Sequence, residues 1–197
     1  MAGSIYFVRT TMWPNKVLLR FQGVPPIPKE SDFYGPYNKL LHSLFPWDSD
    51  FTVSPQYEPD SSQDSIDFIV GFQIEFMDWP VLILELKRPS TILHTSTRGE
   101  ADDQIRERME QLVAQCPLQT LHAVSVLGTS LCFYSLDTRD TNGKILPLKI
   151  PRHPTVVNDY APENQWEYDV LGEEGEAKLR DIIVEVSQGC ADLLADT

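Results

Sequence analysis

The chain has 197 residues, which is enough for one domain with a substantial core and too few for two comfortable ones. Apolar residues make up 42% of it and charged residues 23%, the ordinary balance of a soluble globular protein. Only 16 basic residues face 29 acidic ones, and the net charge of −13 excludes the broad cationic surface of most nucleic-acid binders, so any contact with phosphate must be local or made through bound cations.

The N-terminal part of the chain predicts a hairpin followed by a helix. Ser4–Arg9 and Lys16–Phe21 are short apolar strands on either side of a turn at Trp13–Asn15. The doubled proline in Val24–Pro28 ends this unit, because proline continues neither a sheet interior nor a helix. Glu30–Phe45 then repeats apolar side chains at helical spacing, which predicts the first helix.

The central part predicts a meander of three strands. Phe51–Tyr57 is the first strand, and the apolar segments Ile66–Ile74 and Val81–Leu86 are the second and third. A polar turn at Asp60–Asp64 and a break at Met77–Pro80 separate them. Short runs of β-branched and aromatic residues between such breaks are typical of strands.

The C-terminal half predicts two more helices and three more strands. In chain order these are a helix over Thr95–Gln115, strands over Leu121–Leu127 and Leu131–Leu136, a strand over Lys144–Ile150 that pairs back through a turn at Asn142–Gly143, an irregular loop over Pro151–Pro162, and a helix from Gly172 or Glu173 to Leu194.

This order predicts an α/β fold with helices covering a central mixed sheet. Residues 30–136 form its core, in the order helix, three strands, helix, strand. Residues 1–28 add the N-terminal hairpin, and residues 137–197 add a hairpin strand, a loop and the C-terminal helix. We expect the whole chain, 1–197, to be one domain.

Charged side chains stand where buried strands disfavour them. Asp67 lies inside the second strand, and Glu85 and Lys87 close the third, where their spacing of two residues places them on one face. A buried charge costs several kcal/mol unless it is paired or bound to a metal ion. If the two strands are neighbours, Asp67, Glu85 and the backbone carbonyl of Leu86 would provide oxygen ligands suited to Mg²⁺. Such an ion stabilises charge on phosphate and activates a bound water, and Lys87 would orient that water.

These residues and this order of elements resemble the PD-(D/E)XK phosphodiesterase superfamily, which has a restriction-endonuclease-like fold. The resemblance covers about residues 30–136. The general style of the chain, with its proline-rich N-terminal hairpin and acidic C-terminal helix, also resembles uncharacterised fungal proteins of this superfamily. It implies a nuclease in which Asp67 and Glu85 bind Mg²⁺ or Mn²⁺ and Lys87 assists the attacking water. It also implies a nucleic-acid partner, DNA or RNA, and allows a homodimer, since many relatives pair.

Further positions match the superfamily in part. Gln104 resembles a glutamine that some nuclease branches carry on the helix after the third strand, where those branches have tyrosine four residues later and this chain has Arg108. Ile66 replaces the proline of the nominal pattern. A further acidic residue is common on the first helix, and Glu30 and Glu58 compete for that role.

Each of these residues also has a purely structural interpretation. Asp67 can accept backbone hydrogen bonds at a strand edge, Glu85 and Lys87 can form an exposed ion pair, and Gln104 can be an ordinary solvated helix residue. Three arginines of the second predicted helix can touch phosphate: Arg98, Arg106 and Arg108. Five acidic residues share that helix, so the simpler interpretation is a solvent-exposed face with many salt bridges. The four tryptophans are expected in packing positions.

The remaining features concern location. No apolar run approaches the roughly 18 residues that a membrane span needs, and the N-terminus lacks the features of a secretory signal. Cys116, Cys132 and Cys190 are scattered, which predicts neither a disulfide framework nor a zinc site. We therefore expect an intracellular protein, in cytoplasm or nucleus, without a membrane partner.

Two functions from different classes fit these observations. The first is a Mg²⁺-dependent nuclease. The second is a nuclease-fold domain that no longer cleaves and serves as a regulatory or interaction module, and the negative charge favours a basic protein as its partner. An unrelated α/β binding domain, in which the sequence of residues 85–87 arose by chance, is the third interpretation.

Overall fold

Six strands form one mixed, open sheet in the computed structural model, which describes residues 13–58, 68–140 and 143–195. The strands are β1 (Phe51–Glu58), β2 (Phe68–Phe76), β3 (Trp79–Lys87), β4 (Thr120–Leu127), β5 (Ser130–Asp137) and β6 (Tyr168–Asp169). The helices are α1 (Asn15–Gln22), α2 (Tyr34–Leu44), α3 (Thr95–Leu112) and α4 (Glu173–Ala195), with short 3₁₀ helices at Glu30–Phe33, Pro89–Leu93, Val113–Gln115 and Glu163–Trp166. The predicted α/β class with a mixed sheet is confirmed.

The strands follow one another across the sheet in chain order. β1, β2 and β3 pair antiparallel, which confirms the predicted meander. β4 pairs parallel to β3, and α3 makes the crossover that a parallel connection requires. β5 and β6 complete the sheet as antiparallel neighbours. The two β3 neighbours therefore differ in direction, and the C-terminal end of β3 lies inside the sheet.

The turn between β2 and β3 is shorter than the predicted break. It consists of Met77 and Asp78, whose φ angles of 50° and 69° lie in the left-handed region. Two-residue hairpin turns need this region because its twist matches that of the strands. Trp79 and Pro80 consequently belong to β3, which lengthens the strand that carries Glu85 and Lys87.

Helices cover both faces of the sheet. On one face the Tyr134 hydroxyl of β5 donates to Asp102 of α3 over 2.9 Å. On the other, the ring of Phe51 lies 5.0 Å from that of Phe45 at the end of α2. The core between these layers contains the largest fully buried side chains, which include Tyr37, Phe72, Leu82, Leu84, Ile105 and Met109. The predicted helices over residues 30–45, 95–115 and 173–194 are thus confirmed as the covering layers.

The predicted N-terminal hairpin is wrong for residues 16–21. This segment lies in α1, and its other strand, Ser4–Arg9, lies outside the residues that the structure describes. Val17 and Phe21 are buried four positions apart, which is the period of one helix face. The Phe21 ring packs edge-on against Tyr37 of α2 at 5.2 Å. Burial against α2 therefore decides the conformation of a segment whose apolar residues also suit a strand.

The predicted strand over Lys144–Ile150 is also wrong. The segment makes one isolated bridge, between Ser135 and Leu146, and is otherwise irregular. Pro147 has no amide hydrogen to continue the pairing. The Arg106 guanidinium takes up two of its carbonyls instead, those of Ile145 and Pro147, over 3.3 and 2.7 Å. Asn142 of the predicted turn lies outside the described residues.

The expected solvent face of α3 is wrong for three of its charged residues. Arg98, Asp102 and Arg106 are buried. Arg106 donates to Asp102 over 2.8 Å, and Arg98 donates to the carbonyls of Ile92 and Ala161. These side chains hold the loops that follow β5 against α3. Their bonds to carboxylates and backbone carbonyls offset the cost of burying charge at this depth.

The tryptophans divide into two groups. Trp13 and Trp166 are buried, as expected, whereas Trp47 and Trp79 are 91% and 55% exposed. The three cysteines are free and buried, in agreement with the absence of a disulfide pattern. Burial raises the pKa of the Cys132 and Cys190 thiols to about 12. None of the helices in the described part of the chain combines the length and apolar character that a membrane span requires.

Replacing Gly71 by alanine is expected to destabilise the fold by more than about 2 kcal/mol. A Cβ at Gly71 would meet the carbonyl oxygen of Leu84 far inside van der Waals contact, so β2 and β3 would have to separate. The matched control is Gly35→Ala at an exposed position of α2, where nothing lies within 4 Å of the added carbon. That change should alter stability by less than about 1 kcal/mol, because the higher helix propensity of alanine is opposed by the crowding of its Cβ against the ring of the following Pro36. Urea unfolding measures both, and equal effects would contradict this account.

Candidate active site

Glu85 and Lys87 lie side by side at the C-terminal end of β3, on the face that α3 covers. The Lys87 ammonium nitrogen is 3.8 Å from a carboxylate oxygen of Glu85, and the two side chains are 18% and 15% exposed. Leu86 between them points to the opposite face and is fully buried. Leu86 therefore packs into the core on one face of the strand, and the Glu85–Lys87 ion pair on the other face remains accessible to solvent.

Lys87 lines a cleft with a volume of about 650 Å³. Glu30, at the start of the first helical segment, and Gln104, on α3, line the same cleft. The other lining residues are Ile27, Pro28, Lys29, Arg88, Ser90, Thr91, Thr97 and Glu100. Three residues that the sequence singles out from separate elements therefore meet around one cavity, and Glu85 adjoins it through Lys87.

Glu30 is held in place by the residues that follow it. The Tyr34 hydroxyl donates to its carboxylate over 3.0 Å. Burial, with the charge of Glu30 as the second cause, raises the pKa of Tyr34 well above its usual range, so the hydroxyl stays a donor. The amide of Lys29 donates to Asp32, which fixes the first turn. The Glu30 carboxylate is therefore pre-positioned at the cleft.

The arginines of α3 do not reach this cleft. Arg108, four residues after Gln104, donates to the side-chain oxygen of Gln56 on β1 over 2.7 Å. Arg98 and Arg106 are buried in the contacts with the C-terminal loops. Gln104 itself is exposed, so its amide is available to a molecule in the cleft.

The neighbours of Glu85 on the sheet are small. Gly71 of β2 lies directly opposite it, and Ser125 of β4 is its partner on the other side. The buried Ser125 hydroxyl accepts a hydrogen bond of 3.2 Å from Trp166. Asp67 precedes Gly71 by four residues and lies outside the described residues, as does the side chain of Glu58. The structure therefore supports the predicted adjacency of the second and third strands and leaves the convergence of Asp67 with Glu85 a prediction.

The donor chemistry of the cleft suits a hard cation. Carboxylate oxygens of Glu85 and Glu30 and the Leu86 carbonyl are of the type that Mg²⁺ and Mn²⁺ prefer. Within residues 13–58, 68–140 and 143–195, however, no three acidic, histidine or cysteine side chains are grouped so as to hold a metal ion. A complete ligand set would thus need Asp67, the residue that the sequence also proposes.

Two basic residues of the cleft were missed by sequence reasoning. Lys29 and Arg88 are exposed and line it beside Lys87. Their positions next to Glu30 and Lys87 in the chain are the signal that would have indicated them.

No protein-family model, curated protein or solved structure matches this chain. The chemistry of the cleft must therefore be inferred from its own residues.

Proposed function

We propose that the protein is a metal-dependent phosphodiester hydrolase, a nuclease acting on DNA or RNA, with a restriction-endonuclease-like core. The observation that carries the proposal is the Glu85–Lys87 pair at the end of an interior strand, beside a cleft that Glu30 and Gln104 also line. The order helix, three antiparallel strands, helix and parallel strand supports it as well.

The residues divide into ligands and proton-handling groups. Glu85, Asp67 and the Leu86 carbonyl would hold a divalent cation. The chemistry that the cation supplies when bound is neutralisation of phosphate charge and a lowered pKa of a coordinated water. Lys87 orients the attacking water and donates to the developing negative charge. Gln104 donates from α3 and helps to position the phosphate.

The protein is expected to cleave nucleic acid in Mg²⁺ or Mn²⁺ and to be inactive in EDTA. A mixture of single- and double-stranded DNA and RNA, analysed on denaturing gels, measures this directly. Isothermal titration of the cation provides a readout without turnover, and Glu85→Gln should weaken binding at least about tenfold by removing one charged ligand. Cleavage that persists in EDTA, or metal affinity unchanged by this substitution, would refute the proposal.

A second candidate is a domain of the same core that no longer cleaves and binds a basic protein. The net charge of −13 favours it, because such a field attracts cationic partners. The same titration separates the two candidates. If neither Mg²⁺ nor Mn²⁺ binds, the interaction module becomes the better explanation of the fold.

A further inference from the structure

We infer that the cleft takes a single strand of nucleic acid, and that Lys29 and Arg88 select it by contacting its phosphates on either side of Lys87. This inference rests on the proposed function and names the substrate class of that site. Lys29, Lys87 and Arg88 place three cations around one cavity in a chain that has only 16 basic residues against 29 acidic ones.

The two outer cations are available to a ligand. Both side chains are exposed, and neither makes an ion pair or a side-chain hydrogen bond within the part of the chain that the structure describes. By contrast, the basic residues that touch the C-terminal loops, including Arg98, Arg106 and Arg152, are bonded to carboxylates. Lys29 and Arg88 therefore leave two cations at the cleft that a phosphate backbone would neutralise.

The surroundings of the cleft oppose a duplex. Thr97, Glu100 and Gln104 line it from α3, and Glu107 continues the same helical stripe as an exposed carboxylate. Duplex DNA carries one negative charge per about 1.7 Å of its axis, so its second strand would lie in this acidic field. A single strand brings its phosphates to Lys29 and Arg88 without placing a second charged backbone beside Glu100 and Glu107.

The apolar edge of the cleft fits unstacked bases. Ile27 is 92% exposed and stands beside Pro28 at the mouth, ahead of Lys29 in the chain. An exposed isoleucine next to a cation offers an apolar contact to an unstacked base whose phosphate the cation holds. The stacked bases of a duplex offer such a face only where a base step is unstacked, which costs a few kcal/mol.

Fluorescence anisotropy in EDTA tests the inference without cleavage. We expect the wild-type protein to bind a labelled single-stranded oligonucleotide at least tenfold more tightly than the corresponding duplex. Lys29→Ala and Arg88→Ala should each weaken this binding severalfold and reduce the slope of log K against log salt by about 0.7. The matched control is Lys178→Ala, which removes an exposed lysine on α4 that lies outside the cleft lining.

The outcomes separate this inference from the proposed function. Equal affinity for duplex and single strand, or an equal loss for Lys178→Ala and Lys29→Ala, overturns the inference even when wild-type protein cleaves with Mg²⁺. Selective single-strand binding through Lys29 and Arg88, together with no cleavage in any cation, supports the inference and refutes the nuclease. An absence of binding to either form overturns the inference as well.

Discussion

Lys87→Ala is expected to lower the rate of metal-dependent cleavage by about 10²–10⁴-fold, the usual contribution of a group that handles a proton in the transition state. Glu85→Gln should lower it at least as much, because the proposed charged metal ligand is lost together with the partner that holds Lys87. Single-turnover cleavage at saturating Mg²⁺ measures the chemical step in both variants.

Stability provides the control for these two variants. The Glu85–Lys87 side chains are only 15–18% exposed, but their charged atoms are 3.8 Å apart, so loss of Lys87 is expected to cost about 1–3 kcal/mol, less than the loss of a partner from a closely bonded buried pair. Urea unfolding should therefore show a protein that still folds while its activity falls far more than this loss of stability explains. Lys178→Ala, an equal change of charge at an exposed position of α4, should leave both rate and stability unchanged. Near-wild-type cleavage by purified Lys87→Ala would remove that residue from the mechanism.

Asp102→Ala is expected to destabilise the protein by about 3–5 kcal/mol, the cost of breaking a buried ion pair from one side. Asp102 accepts from Arg106 over 2.8 Å and from the Tyr134 hydroxyl over 2.9 Å, and all three residues are buried. Burial raises the pKa of Tyr134 well above its usual range, so its hydroxyl would remain a buried donor whose remaining side-chain partner is the weakly accepting sulfur of Cys132. The Arg106 guanidinium would lose its counter-charge.

The neighbouring residue provides the matched control. Asp103 pairs with Lys149 and Arg152, and these three side chains are 40–56% exposed. Asp103→Ala should therefore cost about 1 kcal/mol or less. Tyr134→Phe should cost about 1 kcal/mol, because Asp102 keeps its stronger partner. Equal midpoints of urea unfolding for the Asp102 and Asp103 variants would show that the buried network adds no stability.

The Asp102 network shows why the second half of the chain was harder to predict. Arg106 of this network donates to the carbonyls of Ile145 and Pro147, which lie about 40 residues away along the chain, so no local sequence pattern indicates the contact. Alternating charges on a helix suggest a solvent face, and only the loop packed against α3 turns that face inward. The irregular course of residues 144–150 follows from the same contacts.

What the sequence by itself determined is the part of the protein that depends on local periodicity. Strand alternation placed Glu85 and Lys87 on one face, and helical spacing with proline boundaries located α2, α3 and α4. Tertiary structure alone decided that residues 16–21 are helical, that Arg98 and Arg106 are buried, and that Lys29 and Arg88 join Lys87 at one cleft. These outcomes depend on burial between segments distant in the chain, and burial stabilises by an amount that outweighs the weak preference of a short segment.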